Sequence, residues 1–587
     1  MMKKMKELWN ETGTRIKKAD IIIMIIMVLV YGIYSFINLG DMKAPQTFAS
    51  FSEVSQSVTI EVPNSTYITR MRVYTGNETG NFWIYLSDDG ETYNYLTTLE
   101  ANSVFSWQDV DINSNAKYVQ LIAAQASGSL GEVQLYDENS LPLEETATDD
   151  MSAPLVDELN LVPLRISYMN STYFDEVYFA RTAYEYVHGL PAYEWVHPPL
   201  GKLIQAIPIA LMGMTPFAWR MAGNICGILM IAVMYVLGKK LFKKRKWAIT
   251  AALLMMLDTF HFAQSRMGTV DTELVLFSLL AVLFMVNYMQ QKKNTKLWKR
   301  LLNLFFSGLF AGCAIATKWT GLATGLILCI MFFYHLIKTN FGEGKKWTKD
   351  TTIIILCCFL FFIGVPVAIY VGSYFLFPNF GVNTQITNIP ALLTQTDGMY
   401  TYHSTLTATH PYTSEWYTWP IMWKPVWYYY AEYSDGLRET ISGIGNPAIW
   451  WAACVAMLYV IYAAIKNQAK NSYDAIFSKK EKMYVAVKKN DNVAWFIILG
   501  VAVTWLPYLL IGRVMFLYHF FPTLPYMMLA VVYALKGLSE RFKTDKITMV
   551  YLFIVFILFA LFLPIASGRA IDPAYVNYFR WLPKWYF

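Results

Sequence analysis

The chain has 587 residues, of which 55% are hydrophobic, 16% aromatic and only 15% charged. Soluble domains carry roughly a quarter charged residues, so this composition excludes an ordinary soluble protein and points to a polytopic membrane protein. The net charge of +6 does not imply a nucleic-acid partner, because the basic residues fall in short blocks between apolar segments, as membrane topology requires.

In chain order, a basic tail, 1–19, precedes a first apolar run, 20–38. No small-residue cleavage site follows that run (NLGDMKAPQ), so it is expected to remain as a signal anchor. The polar region that comes next contains none of the six cysteines (Cys226, Cys313, Cys329, Cys357, Cys358, Cys454). No disulfide framework is expected there, and no cysteine spacing suggests zinc.

Residues 45–140 alternate with a period of two in VTIEV (58–62), YITRMRVY (67–74), NFWIYL (81–86) and KYVQLIAA (117–124), with SDDG (87–90) as a turn. Short strands of this kind predict an extracytoplasmic β-sandwich. The series from ITRMRVYTG through FWIYLSDDGETY and AKYVQLIA to GEVQLYD, about 68–137, resembles a discoidin-like, galactose-binding-type domain. That resemblance implies a carbohydrate ligand or a protein partner, without assigning binding residues. The acidic, Pro- and Ser-containing stretch 141–170 reads as a linker.

A span needs about 20 apolar residues, and eleven candidates follow: 20–38, 216–238, 247–264, 270–290, 301–317, 320–337, 352–377, 447–465, 493–511, 514–535 and 547–567. The tail, 239–246, 292–300, 338–349, 466–489 and 536–546 are all basic, which assigns them to the cytoplasm. The expected fold class is therefore a polytopic α-helical membrane protein with about eleven transmembrane helices, N-in and C-out, and an inserted β-sandwich. This topology gathers Asp175, Glu176, Arg266, Asp271, Lys318, Arg513 and most histidines at the outer face. Ionisable groups at membrane depth are costly and usually functional, so a site at the outer face is expected.

Four stretches and a tail motif carry a resemblance to a known family. They are YFDEVYFARTAYEYVHGLPAYEWVHPPLGKL (173–203), FAQSRMGTVDTELV (262–275), GCAIATKWTGLA (312–323), HPYTSEWYTWPIMWKPVWYYY (410–430) and RVMFLYHFFPTLPY (513–526). Together they strongly resemble the protein O-mannosyltransferases, polytopic glycosyltransferases of the GT-C type that use a polyprenyl-phosphate sugar. The resemblance divides the chain into a catalytic outer loop with transmembrane helices two to seven (171–377), a large outer loop (378–446), and a C-terminal four-helix region with an outer tail (447–587). It departs from the family in the sandwich inserted after the first helix.

The family implies an inverting hexosyl transfer from lipid phosphate to Ser or Thr hydroxyls of exported polypeptides, in the plasma membrane with its site outside. The chemistry requires a base for the acceptor hydroxyl and cations for the departing phosphate. Asp175 and Glu176 are the candidate catalytic carboxylates, with Asp175 favoured as base by the resemblance. Arg220, Arg266 and Lys318 are the candidate phosphate holders. Asp271 is expected to orient Arg266 or touch substrate. Lys202, of the His-Pro-Pro-Leu-Gly-Lys motif, and Arg513 complete the charged candidates. His197, His410 and His519 match no metal-ligand spacing and are expected to hydrogen-bond within the site. Trp416, Trp419, Trp423 and Trp427 read as an interfacial belt or a sugar platform. No metal or cofactor is expected. The expected partners are the lipid-linked donor, the polypeptide acceptor, membrane lipids and, by family analogy, a second subunit. A GT-C enzyme with a lipid or wall-glycan acceptor is the alternative; a transporter or a surface sugar-binding protein is the remote one, disfavoured by the absence of visible repeats and by the gathering of ionisable residues at one face.

Overall fold

The computed structural model describes residues 9–292, 294–340, 347–376, 386–476 and 491–587. The basic blocks expected at 338–349 and 466–489, the start of the tail and the start of the large outer loop thus lie partly outside the described residues. Two compact units share the chain: one comprises Asn38–Tyr193 and Ile204–Ala222, the other Met1–Ile37, Glu194–Leu203 and Gly223–Phe587.

The first unit is built on seven antiparallel strands: β1 (Ala49–Ser50), β2 (Ser57–Thr75), β3 (Gly80–Ser87), β4 (Asn94–Ala101), β5 (Trp107–Ala123), β6 (Ser129–Tyr136) and β7 (Thr146–Ala147). They run in the order β1-β6-β2-β5-β3-β4, with β7 on β2. Strand β2 breaks register with β5 between Glu61 and Thr66 and again between Ile68 and Arg70. Before the breaks β2 meets β7, and after them it meets β6; β5 similarly takes β3 as partner only in its second half. Such bulges bend and twist a strand, and here both halves of the sheet turn alternate side chains into one core. Val58, Ile60, Met71, Val73, Ile84, Val119 and Leu135 meet there. At the expected SDDG turn, Gly90 takes φ +77°, a left-handed conformation that glycine adopts without strain, and its N–H donates to Ser87 Oγ at 2.9 Å.

The stretch read as a linker is folded onto this sheet. Leu155 joins the core and Leu143 packs against it. Gln134 Nε2 donates to Leu143 O at 3.0 Å, and Glu158 N–H donates to Glu132 Oε2 at 3.0 Å. Its acidic composition concealed a few apolar residues at the right intervals to close the core.

The same unit contains helix α2 (Glu176–His188), which Gly189 stops at φ 66° with its N–H on Glu185 and Tyr186 carbonyls. Helices α3 (Leu200–Met212) and α4 (Pro216–Phe242) begin the helical series.

In the second unit, α1 (Lys18–Phe36) is followed by α5 (Arg245–Met256), α6 (Thr259–Ser265), α7 (Asp271–Met289), α8 (Leu297–Thr317), α9 (Leu322–Asn340), α10 (Lys349–Phe359) and α11 (Val365–Phe375). After these come α12 (Ile389–Thr405), α13 (Pro447–Ile476), α14 (Asn492–Trp505), α15 (Leu524–Phe542), α16 (Lys546–Ser567) and α17 (Pro573–Tyr578), with a hairpin of β8 (Val426–Glu432) and β9 (Arg438–Gly443) in the large outer loop. Among the described residues, nine helices are long and apolar enough to cross a membrane. The chain is a polytopic helical membrane protein.

The two remaining expected spans differ in kind. Span 247–264 is divided into α5 and α6 at Leu257–Asp258, where the Asp258 carboxylate caps the new helix by accepting from His261 N–H. Span 514–535 opens with a 3-10 segment, Leu517–Thr523, and passes into α15 at Leu524. Helices α10 and α11 run on through a π turn, Leu360–Gly364, just before Pro366; proline supplies no N–H to the preceding turn. All six cysteines are free thiols.

Candidate active site

The adjacent carboxylates Asp175 and Glu176 have different surroundings. Glu176 opens α2 and is fully buried. Arg220, also fully buried, grips it with Nε on Oε1 and Nη2 on Oε2, both at 2.7 Å. The other donors of Arg220 go to backbone: Nη1 to Leu39 O (3.0 Å) and Tyr168 O (2.7 Å), Nη2 to Ser171 O (3.0 Å). A guanidinium has five N–H donors, and all five are engaged within the protein. Arg220 therefore has none left for a phosphate, which removes the geometric basis for expecting it among the phosphate holders.

Asp175 is the N-cap residue of α2, only partly buried, and its own side chain makes no cap hydrogen bond. Its carbonyl accepts from Tyr178 and Phe179 N–H at 3.0 and 3.1 Å, which fixes its backbone in the first helical turn. The preceding Phe174 has φ 50°, an uncommon and costly conformation for an aromatic residue. The segment before it is fastened to the β-insert. Ser171 Oγ accepts from Trp107 N–H (3.0 Å), Thr172 N–H donates to Phe105 O (3.1 Å), and Thr172 Oγ1 donates to Val104 O (2.5 Å).

In the helical unit, the loop 194–199 and the start of α3 form a second cluster. Lys202 is fully buried; its ammonium donates to the Glu194 carboxylate, to Glu194 O (2.5 Å) and to His197 O (3.1 Å). Glu194 Oε1 also accepts from His197 Nδ1 at 2.7 Å. Burial alone would raise the Glu194 carboxyl, but Lys202 and His197 outweigh it and hold it at about 2. Burial depresses the His197 imidazole below its usual range, against the pull of Glu194. Lys202 is thus spent as a clasp on the loop.

His403, on α12, answers His197 at a ring separation of 5.3 Å. Its Nε2 lies 2.8 Å from Val196 O and its Nδ1 3.2 Å from Arg513 Nη1. A carbonyl only accepts and a guanidinium only donates, so the partners assign the neutral tautomer with the proton on Nε2. Burial, with His197 next, lowers its pKa to about 4. Trp319 stands 6.2 Å from the same ring, and Gln395 Nε2 donates to Trp195 O at 2.9 Å. Lys318, extended after α8, donates to Asp271 Oδ1 at 2.9 Å. Asp271 therefore partners Lys318, where the expectation had it orienting Arg266 or touching substrate. Arg266 caps α6, donates from Nη2 to Ile37 O at 2.9 Å and stacks over Phe262.

The aromatic loop explains its own motif. Trp419 is almost fully buried, donates from Nε1 to Ser414 Oγ at 3.0 Å and stacks on His519 with rings 6.0 Å apart. A buried indole is neither belt nor platform, so Trp419 takes neither expected part. His410 packs edge-on against Phe516 at 5.0 Å, and its Nδ1 accepts from Tyr412 N–H. Two residues central to the second cluster, Glu194 and His403, were not singled out in the sequence. The spacing of Glu194 three residues before His197 is a usable signal; His403 lies in a mixed helix with no motif around it.

A family profile described as dolichyl-phosphate-mannose-protein mannosyltransferase matches residues 210–377, and one described as the C-terminal four TMM region of protein-O-mannosyltransferase matches residues 391–585. The polyprenol-phosphate-mannose–protein mannosyltransferase of Mycolicibacterium smegmatis is 24% identical over 473 residues, which is 70% of this chain and 87% of that protein. Its counterpart in Corynebacterium glutamicum is 22% identical over 454 residues, 66% of this chain and 81% of that protein. Among solved structures, the Saccharomyces cerevisiae protein O-mannosyltransferase Pmt1-Pmt2 complex bound to the sugar donor gives a TM-score of 0.60 at 16% identity, covering 71% of this chain and 89% of the matched one. The fold agrees with that complex, the two profiles together span more than half of the sequence, and the chain belongs to the protein O-mannosyltransferase family.

Proposed function

We propose that this protein is an integral-membrane mannosyltransferase that moves mannose from a polyprenyl phosphate to Ser or Thr hydroxyls of exported polypeptides, inverting the anomeric carbon. The printed names of the relatives, polyprenol-phosphate-mannose–protein mannosyltransferases, support the donor and the acceptor. The basic loops support a plasma-membrane setting with the site on the extracytoplasmic side.

The observation that carries the residue assignment is the division between the two adjacent acids. Glu176 is consumed by Arg220, while Asp175 is partly exposed at the helix start. Asp175 is the base: its carboxylate takes the hydroxyl proton as the acceptor oxygen bonds to the anomeric carbon. The bond from that carbon to the phosphate oxygen breaks, and its electron pair leaves with the polyprenyl phosphate. Lys318, with Arg266 and Arg513, supplies positive charge for that anion. Neutral His197 and His403 hydrogen-bond the sugar or the acceptor. Glu176 and Arg220 brace the segment that carries the base. No metal or organic cofactor takes part in this scheme. The β-insert, which resembles a discoidin-like module in sequence, engages carbohydrate or a protein partner, and the enzyme works as a dimer.

The test is transfer by purified full-length protein from polyprenyl-phosphate mannose to a Ser/Thr-containing peptide. Asp175→Asn is expected to lower kcat by at least about 100-fold. Full activity in that variant would remove Asp175 as the base, and transfer to glycan or lipid with none to peptide would replace the acceptor.

A further inference from the structure

At the end of the helical unit that carries the basic blocks, two cavities adjoin. One, of about 690 Å³, is lined by Lys240, Lys243, Lys338, His335 and the amides of Gln290 and Gln291. The other, of about 340 Å³, is walled mainly by apolar side chains, among them Ile330, Trp495 and Leu499. Met289, Met331, Tyr334, Asn492 and Phe496 line both, so the polar compartment continues into the apolar one. Each falls within the usual size of a small-molecule site.

The charge of the polar compartment is unusual for this end of the protein. Nearby buried cations are neutralised: Lys239 by Glu11, Arg245 by Asp20, Lys246 by Asp545. No carboxylate lines the polar cavity among the described residues, and neither Lys240 nor Lys243 forms an ion pair within them. Lys338 lies at the junction, with Nζ 3.3 Å from Tyr334 Oη and 3.2 Å from Asn492 Oδ1. Tyr334 Oη in turn donates to Asn492 Oδ1 at 2.6 Å. A triad of lysines facing one cavity, beside an apolar slot at the same helix ends, fits an amphiphile with an anionic head. Basic pockets between transmembrane helices attract anionic lipid heads.

We propose that this double cavity binds an anionic phospholipid of the surrounding bilayer, its phosphate among Lys240, Lys243 and Lys338 and one acyl chain in the slot beside Trp495 and Phe496. The apolar slot opens on helices α9 and α14, which leave large hydrophobic side chains exposed, including Ile330, Phe333 and Trp495. The chain of a bilayer lipid can therefore enter sideways without leaving apolar surroundings.

Full-length protein in neutral detergent, irradiated with a photoactivatable phosphatidylglycerol, is expected to carry its crosslinks in 286–291, 330–339 and 492–499. Crosslinks confined to other helices overturn the assignment, and this arm needs no variant. In parallel, phosphatidylglycerol is expected to raise the thermal midpoint above that reached with phosphatidylcholine, and the double variant Lys240→Gln, Lys338→Gln is expected to lose that excess. An equal rise with both lipids, or an excess intact in the double variant, overturns the proposal. A rise with polyprenyl phosphate alone also overturns it, by reassigning the site to an isoprenoid phosphate. If the double variant does not fold, the crosslink map decides.

Discussion

Glu176 and Arg220 form a fully buried ion pair, and the consequences of breaking it differ from those of altering Asp175. Removing one partner of such a pair leaves an uncompensated charge in a low-dielectric interior, which costs about 3–5 kcal/mol. Glu176→Ala is therefore expected to lower the thermal midpoint in detergent markedly and to lose activity with it. Asp175→Asn, a near-isosteric change at a partly exposed position, is expected to lose kcat with a much smaller fall in midpoint. Equal thermal stability in the two variants would overturn this division. Adjacency made the pair conspicuous in the sequence, but not the difference between its members. That difference depends on an arginine 44 residues away and on which side of one helix start each acid falls.

Strand β6 shows how an element can be tuned by what covers it. Its outward-facing Glu132 is buried beneath the folded-back segment, with Asp157 and Glu158 close by. Burial, reinforced by those two acids, pushes Glu132 up to about 8, and burial likewise raises Glu145, beside Gln134, to about 8. Both groups start from 4.5, so between that value and 8 the folded insert binds more protons than the unfolded chain. Stability from these groups is complete below that window and is lost as pH rises through it. Hydrogen-exchange protection of residues 130–136, corrected for intrinsic rates, is expected to fall between pH 5 and pH 8. Glu132→Gln should reduce the slope, and adding Glu145→Gln should abolish it; an unchanged slope in the double variant would refute this. The strands themselves were legible from two-residue alternation in VTIEV and NFWIYL. The cover was not, because acidic, Pro-containing composition signals a loop whether or not the loop is docked. Among the helices, long apolar runs were read correctly, whereas the break at Asp258 depends on a cap inside a run that looks continuous.

For the whole molecule, the insert lies outside the residues that the family profiles match, yet it is tied to the segment that carries Asp175. Val104, Phe105 and Trp107 hold Ser171 and Thr172, a few residues before Asp175. Excision of 45–140, with the flanks joined by a short Gly-Ser linker, is expected to depress transfer even to a short peptide acceptor. Undiminished kcat with that peptide would show the insert to be a passenger. The family matches run from 210 to 585 and so contain nothing from which this attachment could have been foreseen. The clasp on Arg220 bears on the history of the insertion. Leu39 and Tyr168 offer their carbonyls to the same nitrogen, Nη1, and Asp41 N–H donates to Met169 O at 2.7 Å. The chain therefore leaves for the insert and returns from it at a single doorway, the condition under which a foreign module can be spliced into a host without prising its framework apart. Another module with equally close ends could occupy the same doorway and leave the arginine clasp closed.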